Sequence, residues 1–190
     1  MEDYDIIIIL TDERYEAPDV TNWYQANILG EERLLMKGLE ARGLRTKRVG
    51  WSNAEFDWKR ARSAVFRSTW DYFEQFAKFS AWIDRVVSGL QFFDAPELVR
   101  WNVDKHYLRD LAECGVNVPV TQFIERGEKT TLHEVMAANG WSGAILKPVV
   151  SGAARHTYRL NATNLEAHES VLRELLREES MMVQPFLGSV

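Results

Sequence analysis

The run Asp5-Ile6-Ile7-Ile8-Ile9-Leu10 indicates the fold class of the first half of this 190-residue chain. Apolar residues that follow one another without alternation are typical of a strand buried on both faces of a parallel sheet. After a polar segment, Ile28, Leu35 and Leu39 recur at helical spacing, and Gly43 stands where a helix C-cap is expected. A buried strand followed by an amphipathic helix is the first part of a β-α-β unit, so we expect an α/β fold.

The same alternation of strands and helices continues to about residue 93. The predicted strands are 46–50, 64–67 and 91–93, and a long amphipathic helix is predicted between 76 and 90. The order β-α-β-β-α-β predicts an open sheet with crossover helices. Ligands collect at the carboxyl ends of the strands in such sheets. The segments 11–14 and 67–72 follow strands directly, so we expect both at that edge.

The second half has a different pattern, and we place the domain boundary between residues 98 and 99. Asn102 is predicted to cap a helix that Gly115 closes, and residues 118–124 are predicted to form a strand. Two capping boxes, Thr131 with Glu134 and Thr163 with Glu166, predict two further helices. The remaining predicted strands are 144–150, 157–160 and 181–184, the first two joined by a loop of small residues.

Composition excludes several classes of function. The net charge of −5 gives no general attraction to nucleic acid or to anionic membrane. The single cysteine, Cys114, excludes an intrachain disulfide and fits a reducing compartment. The acidic N-terminus does not resemble a signal peptide, and the longest apolar run is too short to cross a bilayer. We therefore expect a cytoplasmic protein that binds neither nucleic acid nor membrane, and a homo-oligomer stays open.

Lys147 stands inside an otherwise apolar strand, and Ser151-Gly152-Ala153-Ala154-Arg155 follows it. A buried lysine is costly unless an anion meets it. The backbone N–H groups of a small-residue loop can approach phosphate oxygens closely, and Arg155 adds a positive charge at its far end. The pattern predicts a phosphate site, although a lysine that reaches water at a sheet edge, beside an ordinary turn, would look the same.

Two more segments suit a nucleotide. Lys105 is predicted early in the helix that Asn102 caps, where a lysine opposes the helix dipole unless a phosphate compensates it. The segment Gln184-Pro185-Phe186-Leu187 ends a strand at a proline, so its backbone is free to hydrogen-bond a heteroaromatic edge. The alternatives are a surface lysine and a strand end before a linker.

These segments occur in the order found in ATP-grasp ligases. They are Trp101-Asn102-Val103-Asp104-Lys105-His106-Tyr107-Leu108, Gly115-Val116-Asn117-Val118-Pro119-Val120-Thr121, Leu146-Lys147-Pro148 and Val183-Gln184-Pro185-Phe186-Leu187. The string Arg67-Ser68-Thr69-Trp70-Asp71-Tyr72 is similar to a hallmark of a bacterial branch that resembles glutathione synthetase and the ligase that closes the cycloserine ring. The resemblance covers essentially the whole chain. It implies an open parallel-type sheet, the pre-ATP-grasp domain (1–98), followed by the first α+β lobe of an ATP-grasp domain (99–190).

The resemblance also implies roles for the matching residues. The ATP contacts would come from Lys105, Lys147, Ser151, Gly152, Ala153, Gln184, Pro185, Phe186 and Leu187, and Arg155 is the candidate for a catalytic role. The residues that would face the acceptor substrate are Asp12, Arg67, Ser68, Trp70 and Asp71. Judged from its chemistry alone, the Arg67 guanidinium suits a carboxylate in two-point contact, and an ion pair with Asp71 explains it equally well.

The implied activity is an ATP-dependent ligase that joins a small carboxylate to an amine through an acyl-phosphate. The resemblance implies that the magnesium ligands lie in a segment after residues 184–187, the segment that would contact adenine. We therefore expect no metal ligands in this chain and Mg²⁺ ligands beyond residue 190. The chain is then expected to be an incomplete ligase. The alternative is a catalytically inactive module for nucleotide binding or for interaction.

Overall fold

Two four-stranded sheets, one parallel and one antiparallel, organise residues 6–188, which are the residues described by the computed structural model. The described chain divides between Arg100 and Trp101 into two units. The predicted α/β class, an open parallel sheet followed by an α+β lobe, is confirmed. The boundary between residues 98 and 99 remains a prediction.

The first unit is built on the parallel sheet, in the order β2-β1-β3-β4. Its strands are β1 (Ile6–Thr11), β2 (Arg45–Gly50), β3 (Ala61–Ser68) and β4 (Gln91–Phe93), and its helices are α1 (Trp23–Glu40) and α2 (Phe76–Val86). Ile8, Ile9 and Leu10 are fully buried, as expected of a central strand that is covered on both faces. Asp5, the start of the predicted strand, lies outside the described residues.

The core of the first unit is rich in aromatic rings. The ring of Phe79 on α2 lies edge-on to Trp51 at a centroid distance of 5.1 Å and packs against Trp82 at 5.8 Å. The connection from β2 to β3 contains only turns and a 3₁₀ helix at Trp58–Arg60.

The second unit is built on the antiparallel sheet, in the order β5-β8-β6-β7. The remaining helices are α3 (Pro96–Val103), α4 (Tyr107–Glu113), α5 (Leu132–Asn139) and α6 (Leu165–Leu175), and the strands are β5 (Gln122–Ile124), β6 (Gly143–Pro148), β7 (Tyr158–Asn161) and β8 (Met181–Pro185). One face of the sheet packs on an aliphatic core that includes Leu132, Leu146, Leu172 and Val183. Since side chains alternate along a strand, Lys147 lies on the opposite face, in register with Met182.

The prediction that Asn102 caps a helix is wrong, because Asn102 lies inside α3. This helix begins at Pro96, whose fixed φ suits a first helical position. The chain then turns at Asp104, whose Oδ1 accepts from the His106 N–H at 2.9 Å. A new helix, α4, starts at Tyr107.

Two more boundaries differ from the prediction. The strand expected at 118–124 is confined to Gln122–Ile124, since Pro119 has no N–H to donate to a ladder. The capping box of Thr131 and Glu134 is present, but that of Thr163 and Glu166 is not. The Thr163 hydroxyl donates to Asn161 Oδ1 at 2.6 Å, and Asn164 occupies the N-cap of α6. Within residues 6–188, no helix combines the length and the apolar character needed to span a membrane.

Candidate functional site

Lys105 lies in the turn between α3 and α4, and not inside a helix as predicted. Its N–H donates to the Val149 carbonyl at 2.9 Å, and its ammonium donates to the carbonyls of Ser151 at 2.8 Å and Val149 at 3.3 Å. These bonds hold the turn against the end of β6. They bring Lys105 to the strand that carries Lys147.

The two lysines form a positively charged pair in a partly desolvated position. Burial lowers the pKa of Lys147. Burial also lowers the pKa of Lys105, repulsion from the Lys147 charge lowers it further, and Asp104 opposes the shift. Among residues 6–188, the Lys147 ammonium has no hydrogen bond and no ion pair. The pair would therefore be stabilised by an anion that contacts both groups.

The loop after β6 has an unusual backbone. Ala153, Ala154 and His156 have φ values of 50°, 57° and 49°, which residues other than glycine seldom adopt and which cluster at functional sites. In the part of the chain that the structure describes, the N–H groups of Gly152, Ala153 and Ala154 donate no hydrogen bond. The loop thus presents free backbone donors next to the lysine pair.

The far end of this loop is fixed by an ion pair. Arg155 donates from both terminal nitrogens to the two carboxylate oxygens of Glu179, at 2.8 Å each. The Ser151 hydroxyl donates to the Arg155 carbonyl at 3.0 Å, which closes the loop on itself. Because Glu179 balances its charge, Arg155 is placed to anchor the loop, and a catalytic role for it stays a prediction.

The end of β8 supplies backbone and apolar groups on the same sheet. The Gln184 side chain is buried and donates to the Thr121 hydroxyl at 2.8 Å. Phe186 donates its N–H to the Gly143 carbonyl at 3.0 Å, and the Arg159 guanidinium lies 3.8 Å from the centroid of its ring. The pairing of β5 with β8 ends at Val183, so one backbone edge of the segment 185–187 has no strand beside it in the described chain.

In the first unit, the ends of β1 and β3 meet as predicted. The Asp12 N–H donates to the Ser68 carbonyl at 2.8 Å, and the hydroxyls of Thr11 and Ser68 are 2.8 Å apart. Asp12 is fully buried. Its Oδ1 accepts from the Arg14 backbone N–H at 2.8 Å, and its Oδ2 accepts from the Arg14 guanidinium at 2.5 Å. Both oxygens of Asp12 are thereby engaged by its own loop.

Sequence reasoning missed a buried ion pair behind these strand ends. Glu32 on α1 accepts from Arg48 Nε at 2.5 Å and from the Ser68 hydroxyl. The Arg48 guanidinium also donates to the Tyr15 carbonyl at 2.6 Å. Glu32 is 2% exposed. The sequence of α1 offered only a weak sign of this ion pair, namely one acid on the face of the helix that is buried.

Three residues of the string 67–72 have separate environments. Arg67 forms an exposed ion pair with Glu31, so the expected alternative of a pair with Asp71 is wrong. Asp71 is buried and accepts from Trp51 Nε1 at 2.6 Å, and burial raises the pKa of its carboxyl group. Trp70 is 43% exposed, and its ring lies 6.0 Å from Tyr15. The indole of Trp70 and the partly exposed guanidinium of Arg67 are accessible to a ligand, whereas the carboxylate of Asp71 is not.

In the described part of the chain, no three His, Cys, Asp or Glu side chains come together as a group that could hold a metal ion.

Comparison with known proteins gives consistent matches. A family described as "D-cycloserine synthetase DcsG, N-terminal domain" matches residues 7–94. The cycloserine biosynthesis protein DcsG of Streptomyces lavendulae is 29% identical over 160 residues, which are 82% of this chain and 54% of that protein.

Two solved structures extend the match. The crystal structure of D-cycloserine synthetase DcsG is 25% identical, with a TM-score of 0.79 over 97% of this chain and 60% of that one. A RimK domain protein ATP-grasp from Sphaerobacter thermophilus shares the fold at 18% identity, with a TM-score of 0.63 over 95% of this chain and 64% of that one. The chain therefore spans about half the length of the curated relative and under two thirds of these structures.

Proposed function

We propose that this chain carries the acceptor-facing domain and the first ATP-binding lobe of an ATP-dependent carboxylate–amine ligase. The proposal is supported by the similarity of the chain to cycloserine synthetase and to an ATP-grasp protein. The observation that carries the proposal is the pair of partly desolvated lysines, Lys105 and Lys147, beside a loop with free N–H groups. A polyphosphate would contact the two ammonium groups and the N–H groups of the loop at the same time.

The residues present fit ATP from end to end. Lys105 and Lys147 would neutralise phosphate oxygens, and the N–H groups of the segment 152–154 would donate to them. The segment 184–187 would offer backbone hydrogen bonds and the apolar side chains of Phe186 and Leu187 to adenine. Met182, fully buried on the same sheet face as Lys147, would form part of the apolar floor.

In the proposed reaction, a substrate carboxylate takes the γ-phosphoryl group of ATP and ADP is released. An amine then attacks the carbonyl carbon of the acyl-phosphate, phosphate leaves, and an amide-type bond remains. Because an acyl-phosphate hydrolyses readily, water must be excluded, and the loop 151–155 is placed to cover the phosphates. Magnesium, when bound, would neutralise charge on the transferring phosphoryl group.

The acceptor substrate is proposed to meet the carboxyl end of the parallel sheet. Trp70 offers an exposed indole there, and Arg67, Asp12, Ser68 and Asp71 surround or support that edge. Since Ser68 and Asp71 are buried and hydrogen-bonded within the protein, we assign them to the shape of the edge. Trp70 and Arg67 are the side chains that would reach a small molecule.

The first test measures nucleotide binding by the 190-residue chain. A non-hydrolysable ATP analogue should raise the thermal midpoint of the parent chain. Lys147→Ala should abolish that shift, while Lys129→Ala, which removes an exposed lysine from the same unit, should keep it. A parent chain whose midpoint does not respond to the analogue would contradict the proposal.

The second test measures turnover by the full-length protein. ADP release should depend on an added amino acid or small carboxylate from a broad panel. Analogue binding without ADP release under any of these conditions would favour a nucleotide-binding module over a ligase.

A further inference from the structure

The connection between β2 and β3 and the helix α2 enclose a cavity of about 490 Å³ in the first unit. Cavities that hold small ligands are typically about 300–1,000 Å³. Its aromatic walls come from Trp51, Phe56, Trp58 and Trp82. Every lining residue falls between 51 and 89, so the cavity shares no residue with the proposed ATP site and does not depend on that proposal.

Two of these tryptophans carry buried donors without an acceptor. Among the described residues, Trp58 Nε1 and Trp82 Nε1 form no hydrogen bond. Trp82 is 2% exposed, and the centroids of the Trp58 and Trp82 rings are 5.2 Å apart. The indole N–H of Trp51, in the same wall, donates to Asp71 instead. Both nitrogens are covered by protein atoms, so these two residues offer a ligand in the cavity their apolar ring atoms and not their N–H groups.

The rim of the cavity is positively charged. Lys59, Lys78 and Arg85 line it, against a single acid, Asp57. Asp57 accepts from the backbone N–H of Lys59 at 3.2 Å. The Lys78 ammonium donates to a glutamine oxygen and lies 5.7 Å from the Trp51 ring. Over residues 6–188, the side chains of Lys59 and Arg85 form no ion pair, so two cations at the rim lack a counter-charge.

We propose that this cavity binds a small aromatic carboxylate. Its ring would pack against the indoles, and its carboxylate would face the cations of the rim. A carboxylate suits the site because it offers only acceptor sites and a single charge. A phosphate would bring more charge and more bound water against walls that are mostly apolar, at a higher desolvation cost.

The experiment uses 2-naphthoate as the probe and ¹H–¹⁵N spectra of the indole N–H groups of the whole 190-residue chain. Saturable shifts of the Trp58 and Trp82 signals, with the signals of Trp23 and Trp141 unmoved, are expected. The neutral amide of the same shape, 2-naphthamide, should bind at least tenfold more weakly. Added ATP analogue should not displace the probe.

Three variants sharpen the experiment. Trp58→Phe replaces one indole of the wall by a smaller ring, and it should weaken naphthoate binding by about threefold. Arg85→Gln should weaken it by about threefold to tenfold. Trp23→Phe, which changes an exposed indole outside the cavity, should leave it unchanged.

The proposal is overturned by the absence of a saturable shift at either indole, or by equal binding of acid and amide. Naphthoate affinity that is unchanged in Trp58→Phe would overturn it too. If Trp58→Phe does not fold, the acid–amide comparison and Arg85→Gln still decide the outcome.

Discussion

At the scale of single residues, the lysine pair lowers the stability of the folded chain and favours the binding of an anion. Lys105 and Lys147 hold two ammonium groups near each other in a partly desolvated position, and both pKa values are lowered. A group whose charged form is disfavoured by folding subtracts from the free energy of unfolding. An anion that contacts both lysines would return that free energy as binding affinity.

The variant Lys147→Met should therefore be more stable than the parent without nucleotide, by roughly 1–4 °C in thermal midpoint. Since the pKa of Lys147 lies below its usual 10.5 in the folded state, the folded chain binds fewer protons than the unfolded chain between those two values. The increase in thermal midpoint of the variant over the parent should be full at neutral pH and should vanish as the pH rises towards 10.5. Scanning calorimetry at several pH values measures it, with Lys129→Met as the control. A less stable variant would contradict this account.

The same lowered pKa values predict how affinity depends on pH. An anion prefers the protonated lysines, so affinity for the ATP analogue should be constant at neutral pH. It should fall as the pH passes the lowered lysine pKa values, before the usual 10.5 is reached. Titration calorimetry measures both the affinity and the uptake of protons on binding. Affinity that increases with pH would be the opposite of this expectation.

The buried acid Glu32 should matter far more than its exposed neighbour. Glu32→Gln leaves the Arg48 charge, whose side chain is 10% exposed, without a counter-ion, and should cost about 3 kcal/mol of unfolding free energy. Glu31→Gln breaks an exposed pair with Arg67 and should cost less than about 1 kcal/mol. Urea titration compares the two. Similar losses for both variants would show that burial does not set their contributions.

The residue scale is also where sequence reasoning reached its limit. A lysine in an apolar strand predicted a site for an anion, because burial and charge conflict within one short segment. The partner of Arg67 could not be predicted in this way, since Glu31 lies 36 residues away in the sequence and is brought close only by the fold. The sequence also could not predict that the indole N–H groups of Trp58 and Trp82 form no hydrogen bond within the described residues, because only the fold decides which donors lack an acceptor.

At the scale of elements, two similar motifs have different outcomes. Thr131 accepts from the Glu134 N–H at 3.1 Å and caps α5, whereas Thr163 bonds to Asn161 outside α6. Thr131→Ala should thus cost about 1 kcal/mol of unfolding free energy, and Thr163→Ala less than about 0.5 kcal/mol. Urea titration measures both costs. Equal costs would contradict the assignment of Thr131, and not Thr163, as a helix cap.

Element types were predicted better than element ends. The unbroken apolar run of β1 specifies a buried strand, and the spacing of apolar residues in α2 specifies a helix. The break between α3 and α4 has no such pattern, because it depends on the Asp104 side chain competing with the helix for the His106 N–H. Lys105 was consequently expected inside a helix, although it stands in the turn where its ammonium reaches the carbonyl of Ser151.

At the scale of the whole molecule, each unit has a core of its own, aromatic in the first and aliphatic in the second. Five of the seven tryptophans, at 23, 51, 58, 70 and 82, lie in the first hundred residues. Tryptophan fluorescence therefore reports mainly on the first unit.

Phe79→Ala, at the centre of the aromatic core, should cost about 3–5 kcal/mol of unfolding free energy. Leu34→Ala, at a position that is 72% exposed, should change it by less than about 0.5 kcal/mol. Denaturation followed by tryptophan fluorescence measures both. A small loss for Phe79→Ala would mean that the ring network is not the core of this unit.

The ion pair of Arg155 and Glu179 bears on how fast the proposed nucleotide would bind. A loop that is already held at its far end has few conformations to search when a ligand arrives, so little entropy is lost on contact. Association should then proceed at the rate of a rigid site. Differences in affinity among variants of this loop should arise from how long the nucleotide stays bound.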